Sequence, residues 1–200
     1  MALKFQYNKT ALQQLKKELK VRENALPTLQ AKESALRLEV KNAKKDVRKA
    51  EEIYKNQKSK LEEVFRLWTE FPDDLIQIKD VTLDTKKIAG VGTPIFRDIS
   101  FTEKRYSLIS LPPWIPAGIS LLKKAVEMRI RIEVARKKVT ILEFARKKTT
   151  QKVNLYEKVQ IPEYQSAILK IKRFMEDEEN LAKSSQKILK ERLAKMEAYA

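Results

Sequence analysis

Apolar residues recur along the first third of the chain in alternating steps of three and four. Positions 12, 15, 19, 22, 26, 29, 33, 36, 40, 43, 47, 50, 54, 57, 61, 64 and 68 follow that step. Fourteen of these seventeen are Leu, Val, Ala, Tyr or Trp, and the interruptions are Arg22, Glu33 and Gln57. A step averaging about 3.5 residues keeps one stripe turned toward a partner helix, the repeat of a left-handed coiled coil. Sustained over this length, it predicts a long helix within residues 1–68.

A second helical arm is expected over residues 118–200, with a less regular seam. Leu122, Val126, Ile130, Val134, Ile141, Leu142, Ala145, Thr149, Val153 and Tyr156 come first, and Ala167, Ile171, Phe174, Leu181, Ile188 and Leu189 follow. Between the arms, residues 69–117 change character. Ile76, Ile78, Val81 and Leu83 alternate roughly, with the β-branched residues of a strand. "GVGTP" reads as punctuation and "IFRDISFTEKRYSLI" as a second strand. The fold class is therefore mainly α: a long antiparallel two-helix coiled-coil hairpin carrying a short β-hairpin insert. If residue 68 faces residue 118, facing residue numbers sum to roughly 186, by the equal rise of two helices. Pro27 then lies near the height of Pro162, which predicts that both helices bend together where each supports the other's break. The same reckoning leaves the last residues, from about 184 on, with nothing opposite.

Composition agrees with long helices: the 200 residues include only three glycines, and 35% are charged. Cysteine and histidine are absent, so no disulfide, no Cys or His metal site and no His general base is available. No cofactor is read from the sequence. The longest uncharged run, residues 106–122, is short and broken by Pro112, Pro113 and Pro116. It predicts no spanning helix, no direct membrane insertion and a soluble chain. The net charge is +16, carried by the two arms rather than the insert. Such an excess fits nucleic acid, an anionic membrane or an acidic protein surface, and does not choose among them.

Several short stretches are candidates for chemistry. "GVGT", residues 90–93, lacks the third glycine and the Lys-Ser/Thr of a phosphate loop, and opens no helix. Asp73 and Asp74 have no polar partner for acid–base work. "EDEE", residues 176–179, sends its side chains around a helix, so they do not converge on a cation; the facing estimate puts them near Lys4 and Lys9. "ARKK" at 135–138 and 145–148 lacks the interleaved aromatics of a nucleic-acid surface, and reads as a solvated face. "SLISLPPWIPAGISLL" differs, because Trp114 stands among prolines without charge on a slim body. It is read as a partner surface or as local packing that caps the hairpin.

The segment "KKTTQKVNLYEKVQIPEYQSAILKIKRFMEDEE" resembles a pattern of the D subunit of the V-type and A-type rotary ATPases through Lys148, Thr149, Val153, Asn154, Glu157, Ile161, Pro162 and Ile168. "IAGVGTPIFRDISF" and "YSLISLPPWI" resemble that family's β-hairpin and the lead into its last helix, and "NKTALQQLKKELKVRENAL" resembles its start. The chain departs from the family at Pro27, Glu33 and Leu155-Tyr156. The resemblance implies a non-catalytic central stalk, a rotor axle inside a ring of catalytic and non-catalytic subunits. It would couple nucleotide chemistry in that ring to proton or sodium translocation. The implied partners are the hexamer, a small companion of the central stalk (the F subunit) and a membrane-rotor socket subunit, with no nucleic acid. The implied place is cytoplasmic, peripheral to the membrane. On this footing Val81 and Leu83 are expected to meet the companion subunit and Trp114 a partner. Ile188, Leu189, Arg192, Leu193 and Met196 would form the tip in the ring, and Pro27 and Pro162 a fixed bend.

Two other classes compete. A prefoldin-like chaperone would present apolar helix tips, whereas "KILKERLAKMEAYA" is mostly charged. A nucleic-acid-binding coiled coil rests on net charge alone. The gamma subunit of F-type ATPases is similar in role but has a much larger insert.

Overall fold

The computed structural model describes residues 5–62, 68, 70–72, 75–104 and 112–197. Asp73, Asp74, Lys4 and the expected strand end at 105–109 lie outside them. The elements are α1 (Lys9–Glu62), β1 (Ile76–Ile88), β2 (Val91–Glu103), α2 (Ile115–Leu155), a π turn (Tyr156–Gln160) and α3 (Ile161–Glu197). They divide into two compact units, residues 1–31 with 149–200, and residues 32–148.

In the first unit α1 begins at an N-cap: Asn8 Oδ1 accepts the Ala11 backbone N–H at 2.7 Å. Leu12 and Leu15 bury against Tyr164, Ala167, Ile168 and Ile171 of α3, with Phe5, Leu19 and Met175 beside them. Fully burying one such side chain is worth about 2 kcal/mol, so the stripe holds the pair. Before the π turn the inward positions are Thr149, Val153 and Tyr156; after it they are Tyr164, Ile168 and Ile171. An unbroken heptad would instead have turned positions 163 and 170 inward, and residue 170 is an exposed lysine. The stripe therefore slips by one residue, and the π turn absorbs it by spending one extra residue on its turn. Here Ile161 N–H donates to the carbonyl of Tyr156, five residues back.

This unit also accounts for Pro162, the second residue of α3. A proline lacks the N–H and crowds the carbonyl four residues earlier. The wider turn immediately before it accommodates both. Pro27 lies inside α1 without interrupting it.

In the second unit α1 pairs antiparallel with α2 through Lys44–Glu143 at 2.6 Å and Arg136–Glu51 at 2.6 Å. These pairs fall within one residue of the expected facing sum, while Arg22–Gln160 and Glu18–Tyr164 in the first unit fall four short of it. Leu36, Val40, Ala43 and Leu142 form the core between the helices.

The insert is the antiparallel hairpin that the alternation predicts. Its turn is tighter than "GVGTP" implied: only Ala89 and Gly90 lie outside the strands, with φ of 49° and 77°, and Gly92, Thr93 and Pro94 belong to β2. Two consecutive positive φ values match the right-handed twist of the strands. The alternation breaks between Ile78 and Val81 because the register shifts between Ile78 and Asp80, leaving Lys79 as a bulge. The hairpin lies back along the helix pair. Its tip, Ile88 and Val91, packs against the Leu36–Leu142 core, and Arg131 of α2 lies 5.1 Å from the Phe96 ring.

Candidate functional site

Three apolar surfaces stand out among the described residues, two in the second unit and one in the first. In the second unit, β2 faces α2: Lys123 lies 5.9 Å from the Phe101 ring and pairs with Glu103. Directly paired residues of an antiparallel ladder point to the same side. Ile78 pairs with Phe101, Val81 with Ile99 and Leu83 with Phe96, so the apolar face of β1 continues that of β2. Ile78 and Leu83 nevertheless remain 51% and 44% exposed, and Val81 is half-buried. Of the two residues expected at this surface, Leu83 is therefore the open one. Ile78 is a further member, whose place in the alternation was the available signal.

At the base of the hairpin Trp114 packs locally and also lines an open groove. Its ring meets Trp68 edge-on at 5.7 Å and lies 6.1 Å from Phe71, above the buried cluster of Leu75, Ile115 and Ile119. It also lines an apolar groove of about 300 Å³ with Trp68, Ala117, Gly118 and Leu121. Gly118 is required for this approach, since a Cβ there would sit 2.8 Å from the Trp114 ring.

In the first unit, every described side chain of α3 from residue 176 onward is exposed, earlier than the expected 184. Ile188, Leu189, Leu193 and Met196 are 52, 60, 57 and 71% exposed, with Arg192 among them. An isolated helix of this length is marginal in water, and these apolar side chains lie open along it. Glu179 pairs with Lys183 of its own helix at 2.8 Å, which lowers its pKa, rather than with the expected Lys9.

A polar cluster beside the π turn explains one interruption of the first seam. Arg22 donates from Nε to Gln160 Oε1 at 3.0 Å and from Nη1 to the Glu18 carbonyl at 2.9 Å, and its guanidinium lies 4.3 Å from the Tyr164 ring. Tyr164 donates its hydroxyl to Glu18 Oε2 at 2.6 Å. That bond holds the Glu18 carboxyl below its ordinary range, while burial and then the same bond push Tyr164 above its own. Arg22 stands out in the sequence as a break in the heptad; nothing local marks Gln160 or Tyr164 as its partners.

Among the described residues no group of three His, Cys, Asp or Glu is placed to hold a metal ion, and no helix is long and apolar enough to cross a membrane. The "ARKK" runs are partly spent internally, Arg136 on Glu51 and Lys148 over the Phe144 ring.

The sequence profile of the ATP synthase D subunit matches residues 11–191. The chain is 32% identical over 198 residues to the V-type ATP synthase D subunit of Borreliella burgdorferi, covering 96% of each. It is 30% identical over 182 residues to that of Chlamydia pneumoniae, covering 88% of this chain and 87% of the relative. The corresponding protein of Chlamydia caviae is 31% identical over 185 residues, covering 88% of each.

Proposed function

The chain belongs to the family of ATP synthase D subunits, and from that premise we propose that it is the central rotor axle of a V-type rotary ATPase. The observation that carries this reading is the family match along nearly the whole chain, residues 11–191. The helix pairing and the exposed α3 tip suit the role. An axle has to be stiff, which a buried heptad seam provides. It also has to engage its ring without fixed bonds, which a helix bearing Ile188, Leu189, Leu193 and Met196 on an exposed, charged body allows.

In this reading nucleotide chemistry belongs to the catalytic and non-catalytic subunits of the surrounding hexamer, and this chain contributes no catalytic group. The Ile78–Leu83 face binds the small companion of the central stalk. The Trp114 groove at the hairpin base meets the membrane-rotor socket, and turning of the axle couples nucleotide turnover to ion translocation. The Pro27 and Pro162 region sets a fixed bend that makes the axle eccentric. The chain then lies at the membrane periphery, on the cytoplasmic side.

The test is reconstitution. Hexamer, companion and membrane rotor assembled with this chain should pump ions on ATP addition, and the same mixture without it should hydrolyse ATP without pumping. Equal pumping in its absence would refute the axle.

A further inference from the structure

One exposed face of α3 is symmetric about Ser185 in everything but charge. Ala182 and Leu181 stand three and four residues before Ser185, and Ile188 and Leu189 stand three and four after it. Phe174 lies eleven before it and Met196 eleven after. Glu178 lies seven before it and Arg192 seven after. At about 100° per residue, these offsets share one side of a helix. All of these side chains are exposed, Phe174 and Leu181 by 46% and 70%.

Such a face matches a second copy running the other way. A two-fold axis through Ser185, perpendicular to the helix, sets each residue opposite the one equally far beyond the axis. Leu181 then meets the partner's Leu189, Phe174 meets the partner's Met196, and Glu178 meets the partner's Arg192, each contact occurring twice. Copies running parallel would instead set Glu178 against Glu178 and Arg192 against Arg192. The wider charge agrees. The four carboxylates of residues 176–179 precede the axis with Lys183, whereas Lys187, Lys190 and Arg192 follow it with Glu191. Antiparallel copies therefore lay a negative half along a positive one. The Glu179–Lys183 pair lies around the helix from this face and need not break.

We propose that the chain pairs with a second copy of itself through this tip, as an antiparallel two-helix dimer centred on Ser185. Each tip supplies the neighbour that an isolated helix lacks. The dimer covers side chains that the axle reading gives to the ring, so dimer and ring-bound chain exclude each other. Pairing depends on the tip alone and stands or falls separately from that reading.

Sedimentation of the purified full chain over a concentration series tests this. The mass should rise from one chain to two and no further. Glu178→Arg or Arg192→Glu sets like charges together at two symmetric places and should weaken pairing about tenfold. The two exchanges together restore opposite charges and should recover it. Because the chain has no cysteine, Ser185→Cys should link to its own copy on mild oxidation, while Asn180→Cys, on the outer side, should not. All four positions are exposed, so the helical signal should not change. A chain that stays monomeric at every concentration overturns the proposal, as does assembly beyond two chains. A double exchange no better than the single ones, or linking through Asn180→Cys in preference to Ser185→Cys, overturns the antiparallel register and the dimer with it.

Discussion

Tyr164 on α3 donates its hydroxyl to Glu18 on α1 at 2.6 Å, a charge-assisted bond joining the two helices of the first unit beside the π turn. It gives this unit a defined pH response. The Glu18 carboxyl is held below its ordinary value of 4.5, so its stabilising contribution is full above that pH and is lost as pH falls below it. Tyr164 is pushed above its ordinary 10.0, so its contribution is full below that value and is lost as pH rises past it. Tyr164→Phe should cost about 1 kcal/mol, kept small because Glu18 is partly open to solvent, and lower Tm by about 3 °C. It should also flatten the acid limb below pH 4.5. Thermal melts across pH check both; an unaltered acid limb in the variant would show that the bond does not set it.

Gly118→Ala tests the packing at the foot of the hairpin. Alanine gains about 1 kcal/mol in helix propensity, but its Cβ would lie 2.8 Å from a carbon of the Trp114 ring. Crowding of that kind costs about 1–3 kcal/mol, so the net effect should be a loss of stability with a shift in tryptophan emission. A more stable variant with unchanged emission would mean that the ring moves aside freely.

The fold was legible where burial imposes one period. Leu12, Leu15, Leu36, Val40 and Ala43 declare a helix because these seam positions meet other apolar side chains, and Ile76 and Ile78 declare a strand by the two-residue step that the ladder keeps. Three features were hidden. The π turn leaves no composition of its own; its only trace is the slip from Tyr156 to Tyr164, which reads as an irregular seam. The facing sum differed in the first unit because Arg22 and Glu18 choose partners on α3, and pairings across long sequence separations do not follow from rise alone. The packing of the hairpin tip was hidden because nothing in Ile88 or Val91 says which apolar cluster they join. For the candidate surfaces, the exposed tip followed from helix lengths, whereas the preference for Ile78 and Leu83 over Val81 depends on which strand lies against α2.

The double variant Ile78→Asp and Leu83→Asp should keep the hairpin, because both side chains are already exposed. It should nevertheless stop co-purifying with the small companion of the central stalk, since two carboxylates would be desolvated on an apolar interface. Adding Val81→Asp should abolish any residual binding. Undiminished co-purification with a folded variant would put that interface elsewhere.

Deleting residues 185–200 removes exposed side chains and no buried cluster among the described residues. The shortened chain should therefore melt within about 2 °C of the full one, as surface changes do, and still bind the companion. Its retention in the hexamer should weaken and ATP hydrolysis should uncouple from ion pumping. Full coupling in the truncated form would contradict the role given to Ile188, Leu189, Leu193 and Met196.

The absence of native cysteine makes the central claim directly measurable. A single cysteine placed at Asp84, on the exposed side of β1, can carry a bead while the hexamer is fixed to a surface through its own subunits. On ATP addition the bead should turn continuously in one direction, and stop when ATP is exhausted. A bead that stays still while the same complexes hydrolyse ATP would show that this chain is not the axle.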